Sequence, residues 1–188
     1  MRQPSRLSLA PRNGYAVELS FDAQTDAAVR RVWDDLAREG VNDFMAGFGV
    51  HPHISLAVFD ELVVAEADPE IADFAHNLFP LPVVLSHVGI FPGDAGIVFF
   101  GAVVTVELLA AHAELHRRLQ RVSDGAWPYY ETSEWVPHCT LTQDMPLDRI
   151  PRAVEIARRA RLPLRGTLER VNLVKFRPPE GIFSSDLG

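Results

Sequence analysis

Pro52-His53-Ile54-Ser55-Leu56 returns 85 residues later as Pro137-His138-Cys139-Thr140-Leu141. Side chains alternate across a β-strand. His53 and Ser55 therefore share one face and Ile54 and Leu56 the other, while His138, Thr140 and Thr142 likewise oppose Cys139 and Leu141. In both copies the apolar pair can pack beneath helices while an imidazole and a hydroxyl project from the far side. A second match sets Leu85, Val88 and Ile90 against Leu168, Val171 and Leu173 at an offset of 83. Two elements that drift together indicate an internal duplication, and a single duplication of this size gives a pseudo-symmetric two-lobed body, not a solenoid.

Each half reads strand, helix, strand, helix, strand. In the first, Tyr15 to Phe21 alternates as a half-buried strand, Asp22 offers a helix cap, and Val29, Val32, Trp33, Leu36 and Ala37 follow at helical spacing up to Gly40. The first motif sits in a strand over 51–59. Asp68-Pro69 supplies a cap and first-turn proline for a short helix carrying Ile71, Phe74, Ala75 and Leu78, and 81–91 is a strand closed by Pro92-Gly93. The second half gives a strand over 97–104, then a helix capped by Thr105 with Leu108, His112, Leu115, Leu119 and Val122 on one stripe. The second motif follows in a strand over 135–142, then a helix marked by Ile150, Val154 and Ala157, and a last strand over 168–176. The expected organisation is a flexible leader over 1–13, one α+β domain over 14–178 with repeat halves at about 14–92 and 96–178, and a C-terminal tail over 179–188.

Apolar residues make up 47% of the 188 and charged residues 23%, a balance that supports a real core and excludes intrinsic disorder. The net charge of −7, from 25 acids against 18 bases, argues against an extended grip on duplex nucleic acid but leaves room for a small or terminal phosphate ligand. One cysteine, Cys139, excludes a disulfide framework and a multi-cysteine zinc site, and its strand position predicts a buried thiol. The longest apolar run, Ile97 to Val104, is eight residues, too short for a bilayer, and Arg2 and Arg6 precede only Leu7-Ser8-Leu9-Ala10, short of a secretory signal. A cytoplasmic monomer with no membrane partner is expected.

Two histidines related across a cleft can divide a proton transfer, one neutral as base and the other charged as acid near neutral pH. The hydroxyls of Ser55 and Thr140 can donate to phosphate oxygens and stabilise charge that builds up there. Such chemistry suits a phosphodiester and calls for no cofactor or metal.

The paired His-x-Ser/Thr-Leu motifs, half a chain apart in a duplicated chain of this size, resemble those of the 2H phosphoesterase superfamily, whose bacterial branch includes 2′-5′ RNA ligase and 2′,3′-cyclic phosphodiesterase proteins. Phe91-Pro92 followed by Ile97-Val98-Phe99-Phe100-Gly101 is similar to the linker between repeats in the RNA ligase-like branch. The resemblance implies two lobes of antiparallel sheet with helices outside and the motifs facing each other in a central cleft. It implies His53 and His138 as the catalytic pair and Ser55 and Thr140 as phosphate ligands. The implied reaction opens a 2′,3′-cyclic phosphate with water, or joins or cleaves a 2′-5′ linkage at an RNA end, so a nucleotide or RNA terminus is the expected partner. Ser55 stands where many members carry threonine, and both are hydroxyl donors.

Other side chains near the motifs admit further roles. His51 can line the cleft edge or tune His53; with His53 and His138 it could also form a metal site, a reading its non-histidine counterpart Val136 disfavours. Trp127, Tyr129, Tyr130 and Trp135 precede the second motif, and Tyr129 or Tyr130 is the best placed for stacking on a nucleobase, with Phe44 and Phe48 in the corresponding loop of the first half. Lys175 and Arg177 could lend positive potential. His112 and His116 fit a solvated or core-edge role. A module that binds a nucleotide or RNA end without turnover is the alternative from a different class, and two intact acid–base motifs weigh against it.

Overall fold

The computed structural model describes residues 14–176 and 179–188. The leader over 1–13 and Arg177 lie outside the described residues. The first half forms β1 (Gly14–Phe21), α1 (Ala23–Arg38), the one-turn α2 (Phe44–Gly47), β2 (His53–Phe59), α3 (Val64–Asn77) and β3 (Leu81–Ile90). The second forms β4 (Val98–Ala102), α4 (Val106–Leu119), β5 (His138–Thr140), α5 (Ile150–Ala157) and β6 (Leu164–Phe176), and β7 (Glu180–Asp186) follows. Setting α2 and β7 aside, strand and helix alternate as the repeat predicts. Asp22 caps α1, accepting from the N–H groups of Gln24 and Thr25, and Thr105 caps α4 through the N–H of Leu108.

All seven strands join one antiparallel sheet in the order β2-β1-β6-β3-β4-β5, with β7 added on β6. The lobes are not the halves of the sequence. β1 and β2, from the first half, take β6 of the second, whereas β4 and β5 take β3 of the first. Each half lends its last strand to the other. The two lent strands meet at the centre, where Leu81 to Leu85 pairs with Leu164 to Leu168, so the sheet is continuous. It also curls: β2 and β5, at the two ends of the hydrogen-bonded order, lie against each other.

One apolar cluster fills the space between sheet and helices. Val17 and Leu19 of β1, Ile54 and Leu56 of β2, Trp33 and Leu36 of α1, Ile71 and Phe74 of α3, Leu115 of α4 and Ile156 of α5 all belong to it. Among the described residues no helix is long and apolar enough to cross a membrane.

Two local expectations are corrected. The helix expected to start at Asp68-Pro69 begins at Val64 and holds Pro69 in its interior, at the cost of one backbone donor. Val64-Ala65-Glu66-Ala67 forms helix readily, and Ala67 is fully buried, so packing extends the helix past the local stop signal. The segment 179–188, expected to trail the domain, carries β7, which pairs with β6 from Arg170 to Lys175. Beyond it Leu187 is buried, and the N–H of Gly188 donates to the carbonyl of Ala75.

Candidate active site

The curl of the sheet brings His53, Ser55, His138 and Thr140 to the wall of one cavity of about 440 Å³. Each motif histidine follows a proline, which withholds an N–H from the ladder and keeps the residue before it extended. In both copies the carbonyl two residues upstream then meets the ring. Nδ1 of His53 donates to the carbonyl of His51 at 2.7 Å, and Nδ1 of His138 to that of Val136 at 2.6 Å. With Nδ1 committed, Nε2 is the nitrogen left for chemistry in each ring.

The surroundings of the two rings differ. His138 stands edge-on to Phe91, ring centres 4.7 Å apart, and to Phe99 at 5.2 Å, and those two phenylalanines stack at 4.3 Å. Burial in this wall lowers the pKa of His138 to about 4, helped by the nearby His53 charge and opposed by the bond to Val136. Gly89 makes the wall possible, because a β-carbon there would lie 2.3 Å from the Phe99 ring. His53 instead meets a carboxyl group: Nε2 lies 3.3 Å from Oε1 of the buried Glu18. Burial raises the pKa of Glu18, and the His53 charge pulls it back.

Tyr130 is half-buried with its hydroxyl against the side chain of Ser55 and close to the Glu18 carboxyl; burial pushes its pKa up to about 12. It is therefore part of the cavity wall beside Ser55, whereas Tyr129, 59% exposed, stands at the rim. Phe44 and Phe48 stack at 4.7 Å and line the same cavity. Trp127 also lines it, donating its indole N–H to Asp60.

Behind the motifs, two tryptophans tie the ends of the sheet together. Trp33 of α1 donates to the carbonyl of Thr140, and Trp135 donates to the carbonyl of Ser55, each at 3.0 Å. Trp135 stacks on the fully buried ring of His112 at 4.0 Å, and His112 donates through Nε2 to the carbonyl of Tyr130. The histidine expected at a solvated or core edge is thus a core prop for the loop that carries Tyr130.

His51 contributes its carbonyl but not its ring, which is exposed, bonded to Arg30 at 2.8 Å and turned toward a neighbouring cavity of about 750 Å³. Among the described residues no group of three or more His, Cys, Asp or Glu side chains could hold a metal ion. Thr142, expected beside Thr140, is buried and binds Val98 and Gly96 backbone groups, because β5 ends at Thr140. Cys139 is buried, and burial holds its thiol neutral, pushed up to about 12. Lys175 is exposed and outside the cavity wall, although Val174 and Phe176 on either side line it. Among the described residues that wall carries no lysine or arginine.

A sequence profile of the 2′-5′ RNA ligase superfamily matches residues 22–179. No curated protein sequence matches. Among solved structures, TT0787 of Thermus thermophilus is 17% identical, with a TM-score of 0.61 over 93% of this chain and 97% of that one. E. coli LigT in apo form is 18% identical, with a TM-score of 0.57 over 93% and 97%. E. coli LigT complexed with 3′-AMP is 16% identical, with a TM-score of 0.57 over 94% and 99%. At these identities the structural likeness concerns the fold.

Proposed function

The chain belongs to the 2′-5′ RNA ligase superfamily, and on that premise we propose that it is a phosphoesterase acting on the 2′,3′-cyclic phosphate of a nucleotide or an RNA end. The supporting observation is the pair of imidazoles, each pinned at Nδ1 by a carbonyl two residues upstream and each sharing one cavity with a motif hydroxyl. One Nε2 removes a proton from the attacking water while the other delivers a proton to the departing ribose oxygen. Ser55 and Thr140 donate to the non-bridging phosphate oxygens, which gain charge as the phosphorus becomes five-coordinate. The chemistry routes no step through a metal.

Aromatic rings at the rim suit a nucleobase, and the acidic, lysine- and arginine-free described wall suits a substrate with one phosphate near the histidines better than a long polyanion. The fold neighbour solved with 3′-AMP has a ligand of that size. The test is a product screen on the four 2′,3′-cyclic nucleotides and on RNA ending in a cyclic phosphate, recording whether the 2′ or the 3′ phosphate accumulates. His53→Ala and His138→Ala should each lower turnover by roughly 10²- to 10⁴-fold with the fold intact. Wild-type turnover in a folded double variant would sink the proposal, and saturable binding without product would replace it with a nucleotide-binding module.

A further inference from the structure

Glu18 has a place in the site that its sequence context did not announce. It lies on β1 in register with Ser55, immediately after a break in the β1–β2 pairing between Val17 and Glu18, where Leu56 is left without a partner on β1. Bulges of this kind re-aim side chains. The effect here is a carboxyl group buried in the wall with Oε1 3.3 Å from Nε2 of His53. We propose that Glu18 is a positioning residue that keeps a proton on Nε2 of His53, making His53 the proton donor and His138 the proton acceptor of the reaction proposed above.

Three features carry the assignment. Nδ1 of His53 already donates to His51, so the mobile proton of that ring can sit only on Nε2, the atom facing Glu18. A buried carboxylate is costly without a proton or a cation beside it. His53 is the cation within reach, so ring and carboxyl hold a proton between them. Among the described residues His138 has no counterpart carboxyl: the stacked Phe91 and Phe99 lie against it, which leaves its Nε2 an unprotonated acceptor at neutral pH. Among the described residues, the other titratable groups about His53 are His138 and the Cys139 thiol on β5, and Tyr130, whose hydroxyl reaches Ser55 and the Glu18 charge. Asp26 and Arg30 of α1 act on the His51 ring.

The step then balances. Water forms a bond to phosphorus and gives one proton to Nε2 of His138. The bond from phosphorus to one ribose oxygen breaks, and that oxygen takes the proton from Nε2 of His53. His138 ends charged and His53 neutral, and exchange with solvent restores both.

This role rests on the proposed function, so its test includes a measurement that needs no turnover. Titrating the His53 ring by NMR in the free protein should show that Glu18→Gln, which keeps size and hydrogen bonding but removes the charge, loses the Nε2 proton at a lower pH than wild type. Glu18→Asp, which keeps the charge and retracts it by one methylene, should fall between them. Where cyclic nucleotide is hydrolysed, the alkaline limb of kcat/KM should move with the ring titration while KM changes little. Identical ring titrations in the three proteins overturn the assignment, as does a kcat lowered equally at every pH with the limb unmoved. A wild-type protein inert toward cyclic phosphates would remove the proposed reaction and leave the ring titration to decide the role of Glu18.

Discussion

A desolvated imidazole set against a stacked pair of phenylalanines holds a proton poorly, and at the scale of the residue this is what separates His138 from His53. Because burial holds His138 near 4, hydrolysis should persist well below neutrality, its acidic limb falling near pH 4. Phe91→Ala admits water beside the ring, so that limb should move up toward the ordinary histidine value; a pH profile of cyclic nucleotide hydrolysis with an unmoved acidic limb would count against the desolvation argument. The four motif side chains were legible in the sequence because strand alternation and the repeat both point at them. Glu18, Phe91 and Phe99 were not legible as site residues, since their closeness to the histidines comes from strand pairing and a bulge that a single sequence does not display. Tyr130 was half legible: its nearness to the motif could be read, its attachment to Ser55 could not.

Among elements, the joint between β2 and β5 is held by side chains and not by a ladder. The indoles of Trp33 and Trp135 each satisfy a carbonyl in a motif on the opposite half of the sequence. Trp135→Phe keeps most of the stacking on His112 but strands the Ser55 carbonyl, which should cost about 1–3 kcal/mol in denaturant unfolding. It should also lower kcat/KM by loosening Ser55, and an unchanged unfolding midpoint together with unchanged kcat/KM would refute the tie. The helical spacings of α1 and α4 and their Asp22 and Thr105 caps could be read directly, because an amphipathic stripe and a capping side chain are local signals. The start of α3 could not, since burial of Ala67 outweighs the local cap-and-proline cue. Nor could β7, a short strand just after Pro178 and Pro179 whose reason to exist is the free edge of β6.

For the molecule as a whole, two histidines held neutral by their surroundings, the buried His112 and the half-buried His138, link folding to pH. Burial lowers His112, like His138, to about 4 from 6.5. The unfolded chain therefore takes up protons on these rings near 6.5 while the folded protein declines them until about 4. Their contribution to stability is complete above pH 6.5 and fades as pH falls toward 4, with a slope of up to about 1.4 kcal/mol per unit for each ring. Denaturant unfolding at pH 7 and pH 5 should show the loss, and His112→Gln, which retains a donor for the Tyr130 carbonyl, should shrink it; equal stability at both pH values would contradict it. The duplication was legible because both motifs and both last strands keep nearly the same offset, but the exchange of those last strands was not, since pairing partners leave no mark on periodicity. That exchange binds the two halves into one cooperative unit. Neither half of the sequence holds a complete lobe, so each motif sits in a sheet that is finished only by a strand from the other half of the chain.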